Sequence, residues 1–198
     1  LSNSFVDYST SGLENTLSYL LIIIFLNIYL LKELDRKWFF LLFLTAGFVV
    51  LNRMDHGIVV FPFLTAAFFG YNKKTYNKYF ELRSFLLAVY GFVPFIIWIL
   101  FSIIYYGFPF PNTAYAKLNT GIERYLILKQ GVFYLLDFFT NDYIGACAVS
   151  AALILTFPTK KRIRFLPFFF SLILYLAYIV WIGGDFMSGR FLTIMILI

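Results

Sequence analysis

The stretch LSYLLIIIFLNIYLLKELDRKWFFLLFLTAGFVVLNRMDHG, residues 17–57, runs apolar, then basic, then apolar, then into a mixed polar corner. The segments 17–31 and 38–51 carry no charge, while Lys32, Arg36 and Lys37 crowd the break between them. A chain that places uncharged runs between short charged breaks is built to lie in lipid and turn at its surface. The pattern continues with apolar runs at 58–70, 84–106, 143–158 and 165–182, and a truncated run from 191. Composition agrees: 62% of residues are hydrophobic and 13% charged, and mean hydropathy is +0.84. Soluble domains lie nearer half apolar and a quarter charged. The expected fold is all-α, a polytopic transmembrane helix bundle of six spans plus a truncated seventh, forming a single transmembrane domain over residues 1–198. The chain opens on Leu1 rather than Met, and nothing at its start resembles a signal peptide. It reads as part of a larger membrane protein.

The net charge of +6 is no nucleic-acid footprint, because in a membrane protein the placement of Lys and Arg matters more than their sum. Threading the runs back and forth puts three basic breaks on one side. These are Lys32, Arg36 and Lys37; then Lys73, Lys74, Lys78 and Arg83; then Lys160, Lys161, Arg162 and Arg164. By the positive-inside rule that side is cytoplasmic. The acids divide the other way: Glu33, Asp35 and Glu81 face inward, and Asp7, Glu14, Asp55, Glu123, Asp137, Asp142 and Asp185 outward. The expected location is the cell inner membrane, with the working face extracytoplasmic. The single cysteine, Cys147, supports neither a disulfide nor a thiolate metal site.

The long outer segment 107–142 contains a helical pattern. Glu123, Gln130, Asp137 and Asn141 recur at spacings of seven and four, with Leu126, Phe133 and Leu136 filling the rest. This predicts an amphipathic helix in the outer interface, bent at Gly131, or else one packed on neighbouring spans.

Four clusters of unusual residues map to the outer face: SGLEN (11–15), NRMDHG (52–57), PNTAYAK (111–117) and GGDFMSGR (183–190). Each has a bland reading. Ser11 and Glu14 fit a capping box. Arg53 and Asp55 fit a local ion pair beside a turn histidine, His56, and one histidine is no zinc site. Asn112 and Thr113 fit helix caps. Capping does not explain Lys117, an outward cation. Asp185 fits the cap of a helix starting near Phe186, but Arg190 in its first turn opposes the helix dipole. A bound anion or a carboxylate partner explains Arg190 better.

Together these residues resemble the GT-C type membrane glycosyltransferases that use polyprenyl-phosphate sugars, closest in pattern to bacterial cell-envelope arabinofuranosyltransferase-like proteins. The likeness runs from about residue 11 to the end. It rests on Ser11-Gly12-Leu13-Glu14, on an Arg-Pro-acid-Gly corner altered here to Arg53-Met54-Asp55-His56-Gly57, and on Tyr105 and Gly107 followed by Pro111-Asn112-Thr113 with Tyr115-Ala116-Lys117. The stretch Gly183 to Arg190 completes it. Asn15 stands where the family has Thr. The resemblance implies transfer of a sugar from a polyprenyl-phosphate donor to a cell-envelope glycan or lipid acceptor, with membrane lipids as surroundings and no nucleic acid partner. It implies that Arg190, Lys117 and Arg53 hold the donor phosphate. Asp185 and Glu14 serve catalysis or orient those cations, and Asn112, Tyr115, Asp55 and His56 meet sugar or acceptor. The family's presumed base lies in an Asp-rich loop after its first span, which this chain lacks and which is expected upstream. A lipid phosphate carries its own leaving group, so no nucleotide-binding loop is needed; no cofactor is expected, and no residue is assigned as a metal ligand. A secondary transporter and a non-catalytic lipid-binding assembly subunit are the alternatives. Charges gathered at one face, without a repeat, fit a transporter less well.

Overall fold

The computed structural model describes residues 2–110, 115, 121–159 and 163–198. Among them the regular structure is helical, with no strand, so the all-α expectation holds. The helices fall into two compact units, one of residues 17–109 and one of residues 1–16 with 110–198.

The 17–109 unit holds α2 (Asn15–Leu31, whose first two residues belong to the other unit), α3 (Arg36–Asn52), α4 (His56–Tyr76), α5 (Leu82–Gly91) and α6 (Val93–Tyr106). Asp35 starts α3 by accepting the Trp38 N–H at 2.8 Å. Asn77, in the left-handed region at φ 53°, ends α4. Helix α3 is central and packs on α4, α5 and α6. It buries Phe39, Leu42, Ala46 and Val49, spaced as one helical face. Glycine permits the tight crossing of α3 and α5: a Cβ on Gly47 would meet the Gly91 carbonyl at 2.9 Å. The run 84–106, expected as one span, is broken at Phe92 and bends by 60°. Pro94, in the first turn of α6, lacks an N–H and would clash with the preceding carbonyl of a continuous helix.

The other unit holds α1 (Asn3–Thr10), α7 (Arg124–Asn141), α8 (Tyr143–Thr156), a 3-10 turn (Ile163–Phe165), α9 (Leu166–Ile182) and α10 (Thr193–Leu197). Helices α7 and α9 meet along matched faces: Gly131, Tyr134 and Phe138 against Leu172, Tyr175 and Ile179, each set at i, i+3, i+7. The bend expected at Gly131 is absent, and α7 runs unbroken from Arg124 to Asn141. Gly131 instead brings two backbones together, since a Cβ there would lie 2.5 Å from the Val180 carbonyl. The polar residues Glu123, Gln130, Asp137 and Asn141 are exposed opposite this seam.

Helices α7 and α8 meet at 112° at Asp142. Its carboxylate accepts the Ser2 hydroxyl at 2.5 Å, the Ser4 N–H at 3.0 Å and the Gly145 N–H at 2.9 Å. The carboxylate thereby pins α1 to the corner. Burial, the largest influence, pushes the Asp142 pKa up, yet these hydrogen bonds outweigh it and hold the carboxyl below its usual range.

Among the described residues no single helix is long and apolar enough to cross a membrane. The bent pairs α5–α6 and α7–α8 pass that test jointly, by length and composition. Much apolar surface is exposed; on α6, Ile97, Leu100 and Ile104 are open, Ile104 at 85%.

Candidate functional site

The GGDFMSGR stretch forms a tightly held turn at the end of α9. Gly183 and Gly184, at φ 81° and 73°, close the helix, and the Gly184 N–H reaches back to the Ile179 carbonyl at 3.0 Å. Gly184 also lies flat on Tyr134, whose Cγ would sit 2.5 Å from a Cβ. Tyr134 clamps the turn, donating to the Met187 carbonyl at 3.1 Å and accepting the Phe191 N–H at 3.2 Å. The Tyr8 hydroxyl donates to the Ser188 carbonyl at 2.9 Å, and the Ser188 hydroxyl donates to the Asp137 carboxylate. A Cβ on Gly189 would collide with the Ser4 hydroxyl. The helix expected to begin near Phe186 does not form. Residues 186–192 form bends and turns, and α10 begins at Thr193. Asp185 Oδ1 accepts its neighbour's amide, Phe186 N, at 3.0 Å.

Arg190 is therefore outside any helix N-terminus, and its environment consists of carboxylates. Its Nη2 donates to Glu14 Oε1 at 2.6 Å, and its Nη1 lies 3.3 Å from Asp185 Oδ2 and 3.7 Å from Met187 Sδ. The Arg190 and Asp185 side chains are 18% and 6% exposed, and Glu14 is 33% exposed. Arg190 Nε is buried and has no partner among the described residues. Of the two explanations for an outward arginine, the structure supplies the carboxylate partner, twice. The capping box expected at Ser11 and Glu14 is not formed. Helix α2 starts only at Asn15, Ser11 Oγ accepts the Leu13 N–H at a long 3.4 Å, and Glu14 turns to Arg190.

One guanidinium thus lies between two carboxylates. Such a group fixes the arginine's direction. Burial raises the Tyr8 phenol above its usual range; Arg190 opposes this, and Asp185 and Asp7 add to it. Tyr8 thus remains a proton donor beside the group.

The NRMDHG corner lies in the 17–109 unit and forms its own pair. Arg53 Nε and Nη2 fork onto Asp55 at 3.1 and 2.7 Å, with side chains 8% and 12% exposed. Helices of 17 and 21 residues flank it. At 1.5 Å per residue they reach about 26 and 32 Å, longer than the apolar runs 38–51 and 58–70 from which they were expected. His56 opens α4 and is 1% exposed. In the third cluster, Pro111, Asn112, Thr113, Ala116 and Lys117 lie outside the described residues. Tyr115 is half-buried, with its ring 6.4 Å from Phe110.

Of the four clusters, the structure brings together Glu14 from the first with Asp185 and Arg190 from the last. Sequence reasoning missed Tyr8, Tyr134 and the anchoring role of Asp142. It also missed Arg124, whose guanidinium stacks 3.4 Å over the Trp181 ring and donates to the Trp181 carbonyl at 2.6 Å. Asp137 gave a signal, as part of the polar face of α7. Among the described residues no group of three or more His, Cys, Asp or Glu side chains is placed to hold a metal ion. Comparison with protein-family models, curated proteins and solved structures finds no match for this chain.

Proposed function

We propose that this chain is a membrane-embedded glycosyltransferase of GT-C type, moving a sugar from a polyprenyl-phosphate donor to a cell-envelope acceptor on the extracytoplasmic face. The observation that carries the reading is the Glu14–Arg190–Asp185 group, drawn from residues 176 apart and held in a rigid turn at the end of an apolar helix. The exposed apolar faces support a bilayer setting, and the distribution of basic breaks supports the orientation.

In this reading an acceptor hydroxyl attacks the anomeric carbon while the bond to the lipid phosphate breaks. Arg190 steadies the departing phosphate from a direction set by its two carboxylates. Lys117 supplies a further cation to the same phosphate. Glu14 and Asp185 also accept hydrogen bonds from sugar hydroxyls, and the general base lies elsewhere in the protein.

The test is turnover of radiolabelled polyprenyl-phosphate sugars by the intact protein in membranes. Arg190→Lys keeps the charge but loses the fork, and Arg190→Gln loses both. Losses growing in that order, in variants that retain the fold, support the site. Wild-type turnover in both variants would remove Arg190 from the chemistry.

A further inference from the structure

The end of the 17–109 unit that carries the 32–35 and 77–81 turns is held together by local contacts. Phe39 stacks on Tyr71 at 4.3 Å, Lys74 pairs with Glu33 at 3.1 Å, and Asn72 Nδ2 donates to the Tyr79 carbonyl at 3.3 Å. Seven cations and three carboxylates share this end. All three carboxylates are engaged: Glu33 with Lys74, Glu81 with Lys78 at 3.8 Å, and Asp35 with the Trp38 amide. Arg36, Lys73 and Arg83 are exposed and make no ion pair among the described residues.

Three of these cations sit where the helix dipole opposes them. Arg36 and Lys37 open α3, and Arg83 lies in the first turn of α5. No side chain caps α5, since Glu81 makes no capping hydrogen bond. In that same turn Ser84 is 1% exposed and its Oγ has no partner among the described residues. Asn72 Oδ1, on α4, is likewise buried and without one. Free helix amides, an adjacent arginine and a buried unsatisfied hydroxyl form an anion-binding combination. Aromatic residues surround it. Tyr79 and Phe80 are 72% and 57% exposed, and Lys32 and Lys37 lie 4.9 and 5.5 Å from the Trp38 ring centre. Cations mixed with exposed aromatic rings match the headgroup region of a bilayer.

We infer that this basic end, centred on Arg83 and the first turn of α5, binds the phosphate of anionic phospholipid headgroups. The excess of four cations supplies the attraction, and the uncapped α5 terminus with Ser84 supplies the seat. This is separate from glycosyl transfer and stands or falls without it.

The full chain, purified in uncharged detergent and stripped of lipid, is titrated with phosphatidylglycerol or phosphatidylcholine of matched acyl chains. Bound lipid is counted by native mass spectrometry. Phosphatidylglycerol is expected to bind more tightly, and more weakly as salt rises. Combined Arg36→Gln, Lys73→Gln and Arg83→Gln should cost about 100-fold, at about fivefold per cation, whereas Lys129→Gln in the other unit should cost nothing. Ser84→Ala should weaken phosphatidylglycerol a few-fold and leave phosphatidylcholine unchanged. Equal binding of the two lipids, full affinity in the triple variant, or displacement of the lipid by inorganic phosphate would overturn the inference. The last result would assign the seat to soluble anions.

Discussion

Replacing Arg190 by Met keeps the alkyl stem and removes the charge shared by Glu14 and Asp185. The two carboxylates then lose the guanidinium in different surroundings. Glu14 is the closer, at 2.6 Å, but a third of it meets water. Asp185 is farther, at 3.3 Å, but only 6% exposed. Water reclaims most of what Glu14 loses, whereas Asp185, nearly buried, loses the guanidinium where little water can replace it. Breaking a buried pair from one side costs about 3–5 kcal/mol; with Arg190 at 18% exposure and one partner at the surface, about 3 kcal/mol is expected. Burial therefore outweighs distance: adding Asp185→Asn to Arg190→Met should recover about 1–2 kcal/mol, and adding Glu14→Gln less than about 1 kcal/mol. Equilibrium unfolding of the detergent-solubilised protein, followed through double-mutant cycles, measures both couplings. Additive effects at Asp185, or a larger recovery at Glu14, would refute the reasoning.

Gly131→Ala places a Cβ 2.5 Å from the Val180 carbonyl and should destabilise the α7–α9 seam by about 1–3 kcal/mol, read as a fall in Tm. Tyr134→Phe removes the hydroxyl that bridges Met187 and Phe191 and should cost about 1–2 kcal/mol, with faster amide exchange over residues 185–191. The Asp142 carboxyl is held below its usual range by hydrogen bonds from Ser2, Ser4 and Gly145, which outweigh burial. Its contribution is thus fully present above the unfolded carboxylate pKa of about 3.9 and lost as pH falls through the lower folded value. Limited proteolysis should show α1 releasing in that acid window in the wild type. In Asp142→Asn, by contrast, α1 should be loosened at neutral pH and insensitive to it.

Most of the helix pattern was legible because composition carries it. Uncharged runs between basic breaks gave the helices 15–31, 36–52 and 166–182 to within two residues and the start of 56–76, which continues six residues past its apolar run into Lys73 and Lys74, and the local spacing of Arg53 and Asp55 gave their pair. The break at Phe92 was hidden because 84–106 is apolar on both sides of it, and only the crossing of Gly91 on Phe43 and the position of Pro94 make it necessary. Gly131 misled for a related reason: a helix glycine permits either a bend or a close approach, and the neighbour that decides, Val180, lies far along the chain. Arg190 signalled that it wanted an anion or an acid. That the acid is Glu14 is a tertiary fact, and the same Glu14 looked like half of a capping box. Tyr134, in an aromatic-rich helix, gave no signal for the clamp it forms.

The most direct test of the proposed activity offers the intact protein, in membranes, a set of radiolabelled polyprenyl-phosphate sugars beside the matching nucleotide sugars, and follows sugar appearing on endogenous acceptor. Transfer from a lipid donor and none from nucleotide sugars is the expected result. No transfer from any lipid donor by well-folded protein, or transfer from a nucleotide sugar alone, would contradict it.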